Sequence, residues 1–176
     1  MATVPVPHQF AVGEIATADN INTYYSGISF LENPPIALIY QNSGQAIPTG
    51  TADTTLTFDS TLIDTYNGHS NSVNNSRYTA QVAGWYRANA YCSFGINSTG
   101  YRSVGIKKNG SFIQSSVMQG LPGSASWGTF ATPTTYVFMN VGDFLEVVVS
   151  QTSGGSLTNV VGAPVGPSLT IAWVHV

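Results

Sequence analysis

The stretch that decides the fold spans residues 84–95 and reads GWYRANAYCSFG. Along it, small or apolar side chains alternate with a second, more polar set. The first set is Tyr86, Ala88, Ala90, Cys92 and Phe94, and the second is Trp85, Arg87, Asn89, Tyr91 and Ser93. Because successive side chains of a strand point to opposite sides, this alternation predicts a strand whose first set faces a core. The second set then faces outward and carries two large aromatic rings.

Eight further runs of strand type occupy the chain from residue 36 onward. They are Ile36–Gln41, Thr55–Asp59, Arg77–Val82, Tyr101–Lys107, Phe112–Gln114, Thr134–Asn140, Phe144–Gln151 and Ser168–Val176. Turn signals rich in glycine and asparagine separate them. Asn109-Gly110 favours a two-residue hairpin, because a type I′ turn needs positive φ at both positions. Short strands spaced in this way predict an all-β protein, built as a sandwich or barrel of antiparallel strands.

The last run, residues 168–176, is apolar on both faces. Leu169, Ile171 and Trp173 share one face, and Ala172, Val174 and Val176 share the other. An antiparallel strand of this kind is expected to be covered on both sides. A second sheet would cover one face, and a partner subunit would cover the other.

The first 35 residues differ from this pattern. Thr17 fits a helix N-cap and Pro34-Pro35 stops a helix, so the spacing predicts a helix over Ala18–Leu31. Its apolar stripe consists of Ile21, Tyr24, Tyr25, Ile28 and Leu31. A single helix of this length is marginal in water, so we expect it to dock on the body, on a sister chain or on another protein. The chain thus divides into an arm with an anchoring helix, 1–35, and a body, 36–176, that is expected to fold without it.

Charged residues make up only 7% of the chain, against about 25% in an average globular domain. A surface so poor in lysine and glutamate is typical of a particle or extracellular surface, or of a chain covered by its neighbours. The net charge of −3 and the lack of clustered basic residues argue against a nucleic-acid groove. The first ten residues show no basic or apolar run, so we expect no signal peptide, no membrane insertion and synthesis in a cytosol.

The residue types that carry catalysis are scattered along the sequence. The candidates are His8, His69 and His175, the inward-facing Cys92, and the turn carboxylates Asp59, Asp64 and Asp143. No G-x-S-x-G motif is present, and the isolated candidates fit turn, capping or core positions better than a converging site. We therefore predict a protein that is not an enzyme and has no metal site and no cofactor.

Six segments follow one another in a fixed order along the body. They are Phe58-Asp59, Asn75–Ala80, Val82–Tyr86, Lys108–Gly110, Val137–Val147 and Ser168–Val176. In this order they resemble the C1q/TNF-like jelly-roll family, and residues 137–147 are similar to its L-x-x-G-D-x-[VL]-x-[VL] segment. The resemblance implies an antiparallel jelly-roll sandwich, preceded here by a short arm and helix, that assembles as a homotrimer.

Residues 10–24, FAVGEIATADNINTY, and 30–35, FLENPP, carry a second resemblance. They resemble the opening of small virion proteins of tailed bacteriophages that infect actinobacteria. Such chains couple a G-x-x-x-T-A-x-x-[LI]-N segment to a C1q-like domain. The resemblance implies a position on the virion surface and contacts with other capsid or tail proteins.

Large exposed aromatic side chains are the remaining candidates for binding. The trimer-interface candidates are Trp85, Tyr91, Tyr136, Ile171 and Trp173. Trp127, in the glycine- and serine-rich stretch 120–128, is the candidate for a recognition loop. The leading hypothesis is a trimeric capsid-decoration or tail-surface protein. The alternative is a receptor- or glycan-binding tail-tip module, with a host-surface glycan as its partner.

Overall fold

The computed structural model describes residues 4–122 and 128–176. Within them the chain forms one helix, α1 (Ala18–Glu32), and thirteen strands. The strands are β1 (Ile36–Tyr40), β2 (Ala46–Ile47), β3 (Gly50–Thr55), β4 (Ser60–Asp64), β5 (Arg77–Thr79), β6 (Gly84–Phe94), β7 (Arg102–Lys108), β8 (Ser111–Gly120), β9 (Gly128–Ala131), β10 (Thr135–Met139), β11 (Phe144–Gln151), β12 (Leu157–Thr158) and β13 (Ser168–His175). The helix lies where its cap and stop signals predict it.

Two sheets form the body. The first sheet has the order β10-β6-β13-β1-β4, with β9 added beside β6. The second sheet has the order β3-β11-β7-β8, with β5 beside β11, and β2 pairs with β12. The pairings among the described strands are antiparallel. The prediction of an antiparallel all-β sandwich is therefore confirmed.

The centre of the core is one side of β6. The five side chains of its predicted inward set are at most 1% exposed. The second sheet adds Val104 and Ile106 of β7 and Leu145, Val147 and Val149 of β11 to the same buried cluster. Burial of a side chain of this size is worth about 1.5–3 kcal/mol. This layer between the two sheets is therefore the main source of stability.

Two of the predicted strands differ from the structure. The run 55–59 is for the most part a crossing segment that leads from β3 in the second sheet to β4 in the first. Its Leu56 and Phe58 are fully buried, and buried side chains at alternate positions imitate the period of a strand. The run 112–114 is only the beginning of β8, which is ten residues long and passes through Ser115 with a φ of 57°.

The helix α1 lies against one end of the sandwich and is held there by Phe30. The Phe30 ring packs edge-on against Trp173, with 4.9 Å between ring centroids, and contacts Tyr66 at 6.2 Å. Gly27, one turn earlier, is also buried, and a side chain there would begin 3.3 Å from Pro7 of the arm. Since Phe30 and Trp173 belong to one buried cluster, the helix and the body share part of their core.

A network of hydrogen bonds ties the β7–β8 turn to the β10–β11 turn. The Asp143 carboxylate accepts from Lys108 Nζ at 2.8 Å and from Asn109 Nδ2 at 2.7 Å. It also accepts from the Asn140 amide at 2.8 Å, while Asn109 Oδ1 accepts from the Phe144 amide at 2.9 Å. Partial burial by itself raises the pKa of the Asp143 carboxyl. The hydrogen bonds from Lys108, Asn109 and Asn140 outweigh it, and the pKa falls to about 2.

Replacing Phe30 with alanine should lower the free energy of unfolding by about 3 kcal/mol, because the contact with Trp173 is lost and a cavity remains. Urea unfolding measures the change. The control is Leu31→Ala, since Leu31 is 67% exposed and its truncation should change stability by less than about 0.5 kcal/mol. Equal effects of the two substitutions would contradict docking through Phe30. That residues 36–176 fold without the helix stays a prediction.

Asp143→Asn should reduce the free energy of unfolding by about 1 kcal/mol at neutral pH. This is the stabilisation that the depressed pKa implies, reduced because solvent screens the charges. Because the pKa is depressed, the carboxylate stabilises the fold above the ordinary value of 3.8, and this contribution is lost as the pH falls towards about 2. The parent and the variant should therefore converge in stability over that range. Urea unfolding at a series of pH values measures the difference, and a difference independent of pH would refute the role of the charge.

Candidate interaction surface

The body does not cover most of the apolar stripe predicted on α1. Ile21, Tyr24, Tyr25 and Leu31 are exposed, and Ile28 is half-buried. The helix docks on the body instead through Phe30, and Gly27 is buried beside Pro7 of the arm. The apolar spacing singles out neither residue. The stripe is therefore a surface that the described residues leave largely uncovered.

An apolar groove runs beside the stripe. Its lining comes from the arm segment 4–7, from the end of β13 at 173–176, and from α1, which contributes Tyr24, Ile28 and Leu31. Among the described residues, no lysine, arginine, aspartate or glutamate lines it. Because stripe and groove share these three helix residues, they form one continuous apolar surface at the helix end of the molecule.

The arm is tied to the first turn of the helix through Glu14. The Glu14 carboxylate lies 2.6 Å from His8 Nε2 and accepts from the Ala11 amide at 2.8 Å. It also accepts from Asn20 Nδ2 at 2.9 Å. The hydrogen bond from Ala11, followed by that from His8, lowers the pKa of Glu14. These contacts hold the arm against α1, where Pro7 lies over Gly27.

The outer face of the first sheet, the side that points away from the second sheet, is a second apolar surface. Trp85 packs edge-on against Phe138, with ring centroids 5.8 Å apart, and lies 6.4 Å from the ring of His175. Tyr136 is 59% exposed and Tyr91 is half-buried. Aromatic residues at this density on a sheet face are typical of protein–protein contacts.

Two of the five trimer-interface candidates are core residues. Ile171 is 1% exposed and Trp173 is 9% exposed, because both point from β13 into the space between the sheets. Neither is available for a subunit contact, which corrects the prediction. The alternate residues of β13 face outward, and Val174 among them is exposed. Sequence reasoning also does not single out Phe138, although it follows Tyr136 at the spacing of one strand face.

The end of the body opposite the helix carries the loop 95–101, which connects β6 to β7. The end of β8 and the start of β9 lie at the same end, because β7 pairs with β8 and β6 pairs with β9 there. Arg102 is fully buried and donates to three backbone carbonyls of the loop 95–101, each at 2.9 Å. Trp127, the recognition-loop candidate, lies outside the described residues.

The side chains that could carry chemistry lie in separate places. His69 is held between the backbone carbonyls of Phe58 and Arg77, at 3.1 and 2.8 Å. Burial raises the pKa of the Cys92 thiol. Within residues 4–122 and 128–176, no three histidine, cysteine, aspartate or glutamate side chains converge where they could hold a metal ion. In the same part of the chain, no helix has the length and apolar character needed to cross a membrane.

Comparison with solved structures identifies the fold. The structure is similar to that of murine APRIL at pH 5.0, with a TM-score of 0.57 and 8% identity over 78% of this chain and 98% of that one. Murine APRIL at pH 8.0 matches with a TM-score of 0.54 at the same identity and coverage. No family model and no curated protein matches the sequence. At this identity the similarity shows the fold alone: the body is a C1q/TNF-like jelly-roll sandwich.

Proposed function

We propose that this chain is a non-enzymatic structural protein of a bacteriophage virion, a homotrimer that sits on the capsid or tail surface. In this proposal the N-terminal helix attaches the trimer to other virion proteins and the jelly roll faces outward. The similarity of residues 10–24 and 30–35 to the opening of small phage virion proteins supports it. The uncovered stripe of α1 is the observation that carries it.

The stripe supports attachment because the helix has already docked on the body without using it. Phe30 holds the helix against Trp173, while Tyr24, Tyr25 and Leu31 remain exposed. Exposed apolar side chains that adjoin an apolar groove mark an interaction site more often than a free surface. A virion protein with a complementary apolar surface would cover both.

The outer face of the first sheet supports the trimer. Trp85, Tyr136 and Phe138 are large side chains that the fold holds rigidly on β6 and β10. Tyrosine and tryptophan are enriched where subunits meet, since they bury much area for little loss of side-chain entropy. Two distinct apolar surfaces therefore correspond to two distinct contacts, one with the particle and one with sister chains.

The positions of the two ends agree with an outward-facing jelly roll. β6 runs from Gly84, beside Trp173, to Phe94, which leads into the loop 95–101 at the opposite end. An attachment through α1 would therefore leave the loop 95–101 pointing away from the particle. Loops presented in this way by a rigid scaffold are common sites of recognition.

The alternative is a glycan-binding tip of a tail. Trp85, Tyr91 and Tyr136 lie on one sheet face and could stack on sugar rings. The two functions compete for this face, because a face buried between sister chains cannot bind a glycan. The oligomeric state therefore discriminates between them.

The purified protein should have the mass of three chains by light scattering, with a contact of about 2,000 Å² or more expected for an obligate assembly. Tyr136→Glu should dissociate it, because a carboxylate would replace an exposed ring on the outer face. Phe112→Glu is the matched control, since Phe112 is also half exposed but lies on β8 of the second sheet. A stable monomer at micromolar concentration would overturn the trimer.

Substituting both Ile21 and Tyr25 with aspartate should abolish binding to particles that lack this protein, because two charges would enter the apolar stripe. Co-sedimentation with such particles measures the binding. The control carries Asn22→Asp and Ser29→Asp, which add the same charge at exposed polar positions of the same helix. If the double variant binds the particles as well as the control does, the proposed anchoring role is refuted.

A further inference from the structure

Most of the few basic side chains of this protein form ion pairs or hydrogen bonds within the chain. Four of the five lysine and arginine residues have partners. These are Arg77 with Glu146 at 3.5 Å, Lys107 with Asp53 at 2.7 Å, Lys108 with Asp143 at 2.8 Å, and Arg102 with backbone carbonyls. Arg87 is the exception. It is exposed, and none of the described residues forms an ion pair or a hydrogen bond with its guanidinium.

Arg87 lies on the outer face of the first sheet, near the start of β6. Across the strands its direct neighbours are Tyr136 of β10 and Ala172 of β13. Trp85 lies two residues earlier on the same face. A guanidinium surrounded by aromatic and small apolar side chains has the composition of an interface hot spot. If the face is buried in a trimer, the charge requires an anionic partner there, because an unpaired buried charge strongly disfavours assembly.

The acidic side chains show one matching exception. Three are in the ion pairs named above, and Glu14 is bound to the arm. Asp59 accepts from the Asn42 amide at 2.6 Å and Asp64 from the His69 amide at 2.8 Å. Asp19 is in the first turn of α1, where the helix dipole favours a carboxylate.

Glu32 is the matching exception among the acidic residues. It occupies the last turn of α1, where the dipole is unfavourable to a carboxylate and where the helix has no basic residue. It is exposed, and no partner among the described residues contacts its carboxylate. In the isolated chain the Glu32 carboxylate therefore destabilises the end of the helix, and no contact with a described residue offsets this effect.

The two uncompensated charges lie at the same end of the first sheet. Ile36, Ala172 and Arg87 are aligned across β1, β13 and β6, so Ile36 and Arg87 are two strand spacings apart, about 10 Å. Glu32 precedes Ile36 by one short turn, and the carbonyl of Pro35 accepts from the Trp173 amide at 2.8 Å. Within one chain the two charges do not form an ion pair.

We propose that Glu32 of one copy pairs with Arg87 of the neighbouring copy, so that this ion pair sets the register of the subunit contact. The inference rests on the proposed trimer and names the contact that orients it. The contact is head-to-tail, since each copy offers the arginine on one surface and the glutamate on another. Three such contacts close a ring and leave neither charge unpaired.

Charge reversal tests the pair in the full-length protein. Arg87→Glu and Glu32→Arg should each raise the concentration at which the trimer dissociates by about tenfold or more, because each places like charges together. The double variant Glu32→Arg/Arg87→Glu should return to within about threefold of the parent, because the pair is restored with opposite polarity. Asp19→Arg, at the favourable end of the same helix, is the control and should leave assembly unchanged. Light scattering on a dilution series measures the mass, and circular dichroism verifies the fold.

The outcomes separate this inference from the trimer itself. If the parent is a trimer and both single variants assemble like the Asp19→Arg control, the pair is refuted while the trimer stands. Weakened single variants without recovery in the double variant also refute the pair, since Arg87 then meets another anion. A monomeric parent overturns the trimer. Should Arg87→Glu not fold, Arg87→Gln replaces it, and its dissociation should depend less on salt than that of the parent.

Discussion

Burial of one side of β6 is the constraint on which the rest of the structure depends. The side-chain period of a strand is two, so packing Tyr86, Ala88 and Phe94 between the sheets forces Trp85 and Arg87 outward. A slip of one residue would bury the guanidinium and expose the core, which fixes the register. The aromatic outer face is therefore a consequence of the core, and no further element among residues 4–122 and 128–176 covers it.

The alternation of side chains between the two faces of a strand also determines where the helix lies. In β13 it directs Ile171 and Trp173 inward, and Trp173 reaches the open end of the sandwich. At this end the Trp173 ring would be exposed to water, and the Phe30 ring buries it by packing edge-on against it. Once Phe30 is committed in this way, the geometry of the helix turns Tyr25 and Leu31 into solvent. The helix thus has two apolar sides. One side carries Phe30 and is buried, and the other side is the exposed stripe.

Sequence predicts those features that local pattern alone determines. Strict alternation identified β6, β11 matches its predicted ends, and cap and proline signals placed α1. Local pattern does not reveal which partner covers an apolar side chain. Hence the crossing segment 55–59 imitates a strand, the docking role of Phe30 is missed, and Trp173 is assigned to the wrong side of a strand that is apolar on both faces. In each case the decisive information is tertiary.

Scarcity of charge makes the remaining charges informative. In an ordinary domain a free surface arginine says little, because exposed ion pairs contribute little and many charges are solvated singly. Here the other basic residues have partners inside the chain, so the guanidinium on β6 and the carboxylate at the unfavourable end of α1 are exceptions among the described residues. Both lie where the uncovered stripe and the outer face approach each other. Apolar surfaces supply contact area without direction, whereas complementary charges select one orientation of that contact.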